Sequence, residues 1–111
     1  MGLENVSMVD AVGIEPASDC VVLSIIDSWD WSDERGHLLA LQNKLNSYLG
    51  FIESGQMNEA YPTADGKSLR IDLISRYPLP TIALNFLNNA KAVAQELAIS
   101  LQWKTVPADT A

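Results

Sequence analysis

The sequence predicts an α+β fold: a two-layer sandwich of order ββαβαβ, in which a four-strand mixed sheet carries two helices on one face. Three observations predict it. Apolar residues recur at steps of three and four in two long windows, near residues 33–53 and 81–98, as on the buried stripe of a helix. Four shorter windows are β-branched and apolar or alternate apolar with polar, as strands do. Each helix has one stripe and the later strands keep one polar face, so both helices belong on the same side of the sheet.

Taken in order, residues 1–8 read as a loose start, residues 9–106 as one α+β domain and residues 107–111 as a frayed tail. "VDAVGIE", Val9 to Glu15, is a short strand. "PASD" carries turn chemistry, and "CVVLSIID", Cys20 to Asp27, is a strong strand, so the first two strands form a hairpin. The first helix runs from Asp33 to Glu53 with Leu38, Leu41, Leu45, Tyr48, Leu49 and Ile52 as its stripe; at 1.5 Å per residue it spans roughly 31 Å. Gly55 is its natural stop.

Residues 56–67, "QMNEAYPTADGK", read as a long loop holding Tyr61-Pro62 and an Asp65-Gly66 turn. In "SLRIDLISRY", Leu69, Ile71, Leu73 and Tyr77 point one way and Arg70, Asp72 and Arg76 the other. The second helix covers Thr81 to Ala98 and buries Ala83, Phe86, Leu87, Ala90, Val93, Ala94 and Leu97. In "ISLQWKTV", Ile99, Leu101 and Trp103 face inward. The second strand breaks the pattern. Val21, Leu23 and Ile25 suit the helix side, yet Val22 and Ile26 are apolar too, and Ile74 interrupts the polar side of the third strand. Val22, Ile26 and Ile74 therefore make a candidate dimer patch on the open face.

Composition narrows the function. At 48% hydrophobic and 19% charged the chain is globular. Its start, "MGLENVSMVD", has neither the basic nor the apolar region of a signal peptide, and no apolar run is long enough to span a membrane. Cys20 is the single cysteine, which rules out an internal disulfide and fits a reducing cytoplasm. The net charge is −7, and it is concentrated: Glu4, Asp10, Glu15, Asp19, Asp27, Asp30, Asp33 and Glu34 precede the first Lys or Arg. Nucleic acid is not the expected partner, since phosphate binding needs a basic surface. A basic protein partner is compatible.

The stretch "IDSWDWSDERGH", Ile26 to His37, gathers acids, two tryptophans and the only histidine. Most of it reads as a helix start, with Ser32 as N-cap and Asp33 and Glu34 in the first turn, where the helix dipole favours acids. Arg35 and Gly36 stand where a capping box and a hydrophobic staple want other residues, so Trp29 and Trp31 need another reason. Alternation puts both tryptophans on the side of Leu23 and Ile25, with at least one in the core. Asp27, Asp30 and Asp33 recur every third residue, but the calcium-loop pattern is absent; no metal or other cofactor is expected. His37 lies beside the stripe near Asp33, as a solvated or packing residue. None of the common nucleophile, P-loop, zinc or dinucleotide motifs occurs, so no catalytic residue is assigned. Gln42, Asn46 and Glu53 line one flank of the helix, with His37 and Lys44 on the other. This is a solvated face, or a polar network that holds the long loop with Tyr61 against Tyr48 or Trp31.

From Asp30 to Gly55 the sequence "DWSDERGHLLALQNKLNSYLGFIESG" resembles a family of small, acidic bacterial proteins catalogued only as a domain of unknown function. "VDAVGI" before it and "YP" after it extend the likeness over most of residues 9–104. Trp31, Ser32, Asp33, His37, Gln42, Tyr48 and Gly55 carry it; Arg35 and Gly36 depart, standing where the resemblance implies acids. It implies no activity, substrate or cofactor. The expected function is a small cytoplasmic, non-enzymatic binding or regulatory protein that forms a homodimer, with Trp29, Asp30, Trp31, Asp33, His37, Gln42 and Tyr61 as the candidate functional surface. An acidic, immunity-type inhibitor of a basic protein stays open, as does a small hydrolase or metal-dependent enzyme using His37 with Asp30 or Asp33.

Overall fold

Alternation and helical periodicity resolve into one mixed sheet. The computed structural model describes Leu3 and residues 10–17, 19–60 and 67–106. Strands β1 (Ala11–Glu15) and β2 (Cys20–Asp27) form the antiparallel hairpin. Helices α1 (Glu34–Glu53) and α2 (Gln56–Ala60) lead to β3 (Ser68–Ser75), and α3 (Thr81–Glu96) leads to β4 (Ile99–Thr105). The strand order is β1-β2-β3-β4, and β3 runs parallel to both β2 and β4. Parallel neighbours need crossover connections, and α1 and α3 supply them.

Register assigns the two faces. Leu23 lies beside Ile71, and Ile71 beside Leu101; all three are buried in one cluster with Leu41 and Leu45 of α1, Met57 of α2, and Leu87, Ala90 and Ala94 of α3. Leu3 is buried in the same cluster, so the segment before β1 contributes to the core. The buried line of α3 is mostly alanine, which lets the helix lie close to the sheet.

Several elements depart from the sequence expectation. Val9 lies outside the described residues, and β1 begins at Ala11. Residues 56–60 are a short helix rather than the start of a loop: Gly55, at φ 86, ends α1 and lets the chain turn straight into α2, whose Met57 is buried. Residues 61–66, Tyr61 among them, lie outside the described residues. α3 stops at Glu96, with Ala98 at φ 60 taking the left-handed position that follows a helix. Val93 and Leu97 are exposed, because the alanine line turns them away from the sheet. Tyr77 is exposed as well, since β3 ends at Ser75 before alternation reaches it.

His37 and Lys44 depart most. Both were placed on a flank of α1, and both are buried on its core side with Leu41, Leu45 and Tyr48. Lys44 Nζ donates to Asp10 Oδ1 at 3.0 Å, with both side chains fully enclosed. Asp10 Oδ2 accepts the Ile26 N–H at 2.9 Å, a strand-edge bond made just before the start of β1. The Tyr48 hydroxyl accepts from the Asp10 N–H at 2.8 Å and donates to the Ser24 carbonyl at 2.7 Å. Every polar group named here has a partner, which is the condition for burying it.

Burial pushes the Tyr48 phenol up to about 12 from its ordinary 10.0. A raised folded-state value means that this contribution to stability is complete below pH 10 and is lost as pH rises through about 12, at most roughly 3 kcal/mol at 1.36 kcal/mol per unit. In an ultraviolet titration, a phenolate step near 12 should be present in the wild type and missing in Tyr48→Phe. If the missing step lies near 10, the hydroxyl is solvated and the bonds to Asp10 and Ser24 are not made.

Candidate functional site

The candidate surface is built where β2 hands the chain to α1. Alternation along Val21, Leu23 and Ile25 continues to Asp27, which leaves its carboxylate on the core side of the sheet. His37, three residues into α1, comes down onto it: Nε2 lies 2.6 Å from Asp27 Oδ2, and neither side chain is more than 1% exposed. The other ring nitrogen, Nδ1, lies 2.7 Å from the Asp30 carbonyl oxygen. Asp27 Oδ1 accepts the Trp29 N–H at 3.1 Å. Burial pushes the Asp27 carboxyl up from its ordinary value, and the bond from His37 pulls the other way.

The tryptophans enclose the imidazole. Trp31 stacks on His37 with ring centroids 3.5 Å apart and planes 15° from parallel, and it packs on the core. Trp29 meets the same ring at 5.5 Å and 53°, and is exposed. One tryptophan of the two therefore joins the core. Among the described residues its Nε1 is buried without a hydrogen-bond partner, an unfavourable state that the stack and the apolar packing outweigh.

The helix start differs from expectation by one residue. The N-cap is Asp33, not Ser32: its side chain accepts the Gly36 N–H at 3.1 Å. Ser32 is held by Asp30, whose Oδ1 accepts both its N–H at 3.1 Å and its hydroxyl at 2.7 Å. Those bonds lower the Asp30 carboxyl below its usual value. The cap also bears on Gly36. A Cβ on that residue would meet the Asp33 carboxylate as it lies here, so a side chain at this position would require the cap to turn.

Trp29, Asp30, Ser32, Asp33, Gly36 and His37 line one open depression of about 380 Å³. Gln42 is half-buried further along α1, and Asn46 and Glu53 are exposed. The docking of Tyr61 lies outside the described residues. Asp27, Asp30 and Asp33 do not converge: each serves a different local partner, and among the described residues no three His, Cys, Asp or Glu side chains gather as a metal site would need. Sequence reasoning missed Asp10, Asp27 and Lys44 as members of the buried polar set. The spacing 37–41–44–48 along α1 and the continued alternation to Asp27 were the signals for two of them.

A family model of DUF6572 matches residues 1–107. The chain belongs to this family, whose function is unknown. No curated protein and no solved structure matches it. In this DUF6572 chain Gly36 lies directly against the cap of its own helix. Among the described residues no helix is long and apolar enough to cross a membrane.

The cap assignment makes four linked predictions for urea denaturation. Asp33→Ala should cost about 1 kcal/mol, and Ser32→Ala should stay within about 0.5 kcal/mol. Gly36→Ala should destabilise, although alanine normally gains about 1 kcal/mol over glycine within a helix. Placed in the Asp33→Ala background, the same substitution should stabilise. An Asp33→Ala protein as stable as wild type would remove Asp33 from the cap.

Proposed function

We propose that this chain is a non-enzymatic binding protein that works as a homodimer, joined through the open face of its sheet. One observation carries the reading: Ile26 and Ile74 are direct register partners on that face, and both are half-exposed. Val22 lies on the same face, also half-exposed, beside Arg70. All three helices send their buried residues to the other side, and no described element covers this one. Fully burying a Val or Ile is worth about 1.5–3 kcal/mol; these three are already partly covered, so a second copy would gain the fraction left open, and a two-fold axis would cover the same patch in both copies. Arg70 bridges Glu15 and Asp72, at 2.9 Å to each, and forms a neutralised polar rim next to the patch.

A non-enzymatic role is supported by His37. Both of its ring nitrogens are committed, to Asp27 and to the Asp30 carbonyl, which leaves no lone pair to take a proton from a substrate. The free, buried thiol of Cys20 suits a cytoplasmic setting. The second reading, an acidic partner of a basic protein, draws on the exposed Asp30, Asp33 and Glu34 around Trp29.

Sedimentation of the wild type beside Ile26→Lys/Ile74→Lys tests the proposal. The wild type should sediment as a dimer and the double variant as a folded monomer. A wild type that stays monomeric at micromolar concentration contradicts the proposal, and a dimer that survives both lysines contradicts this interface.

A further inference from the structure

We propose that the Asp27–His37 pair is a one-proton latch, which fastens the Ser28–Asp33 connection only while the pair holds a shared proton. The argument is one of donors and acceptors. A carbonyl oxygen can only accept, so Nδ1 must carry a hydrogen to bond Asp30. A neutral imidazole then presents a bare lone pair at Nε2, where Asp27 Oδ2 lies 2.6 Å away. That contact is attractive only if a proton lies between the two atoms, as an imidazolium facing a carboxylate or as a carboxylic acid facing a neutral ring. Without it, either the carboxylate meets the Nε2 lone pair, or the ring exchanges tautomer and Nδ1 meets the carbonyl. One of the two bonds must fail.

Both bonds close the same segment. Asp27 ends β2, His37 lies in the first turns of α1, and the Asp30 carbonyl lies between them with Trp31 stacked on the ring. Losing the proton frees the connection that carries both tryptophans. Among the described residues the surrounding groups offer no substitute charge. In the connection, Asp30 is bonded to Ser32 and Asp33 to Gly36. On α1, Glu34 and Arg35 are exposed, and Lys44 is paired with Asp10. On β3, Ser75 lies in register with Asp27 and bonds Tyr77, while Arg76 is exposed and gives Asp27 only its backbone N–H.

Proton counting gives the sign. An unfolded chain carries an ionised aspartate above pH about 3.9 and a neutral imidazole above about 6.5, so from there upward the latched fold holds one proton more. Stability then falls as pH rises. The upward push of burial on the Asp27 carboxyl acts in the same direction, because a raised value is a contribution complete at low pH and lost as pH increases. His37 is the only histidine, so no other imidazole contributes to the slope.

Asp27→Asn separates this account from plain burial. The asparagine amide has the same shape and donates to a neutral Nε2, so the latch closes without the extra proton. In urea denaturation from about pH 5 to about pH 9, the wild-type folding constant should fall by up to tenfold per pH unit above about 6.5, and Asp27→Asn should lack that excess slope. Equal slopes in the two proteins overturn the latch. Imidazole nitrogen chemical shifts of the wild type decide it even if the variant does not fold. A protonated Nδ1 together with an Nε2 that is itself protonated or hydrogen-bonded at about pH 8 is the expected result, whereas a bare, unbonded nitrogen at either position overturns it.

Discussion

Two ionisable side chains on the buried side of α1, His37 and Lys44, cannot enter an apolar layer unless each meets a partner there. This requirement sets how the helix lies on the sheet. Lys44 finds Asp10 just before β1, His37 finds Asp27 at the end of β2, and Tyr48 bonds the Ser24 carbonyl in the middle of β2. The hydrophobic stripe alone would accept the helix slid or turned by a residue, because apolar contacts have no direction. Three directed polar contacts do not. A one-residue rotation of α1 would leave an ammonium and an imidazole buried opposite leucines, a loss of several kcal/mol.

The parts of the fold written as periodic patterns were legible in the sequence. The alternation in β3 and β4, the β-branched run in β2 and the stripes of α1 and α3 each come from residues whose partition between water and core is decided by their own chemistry. The parts that depend on a partner were not legible. Lys44 and His37 look like surface residues until Asp10 and Asp27, at sequence separations of 34 and 10, supply the compensating carboxylates. Helix α2 was hidden because a single turn with one apolar residue, Met57, shows no period. The cap was misplaced by one residue because serine and aspartate are equally good caps.

The two faces of β2 divide the roles. The inward residues Leu23, Ile25 and Asp27 face the core and the proposed latch, and Ile26, pointing outward, faces the proposed assembly patch. The opening at Trp29 thus lies on the helix side of the sheet and the proposed interface on the other, so the connection at residues 28–33 stays clear of a sheet-to-sheet dimer. Membership of a family without known function leaves the site to be argued from this geometry.

A double-mutant cycle on Asp10→Asn and Lys44→Met, read by urea denaturation, tests most directly the claim that paired burial of the α1 charges positions the helix. Breaking a buried pair from one side costs about 3–5 kcal/mol, and much of that loss is shared between the two substitutions. The account predicts a coupling energy of at least about 1.5 kcal/mol, with the double variant more stable than the sum of the single losses. Additivity within about 0.5 kcal/mol would contradict it and would leave the apolar stripe as what positions α1.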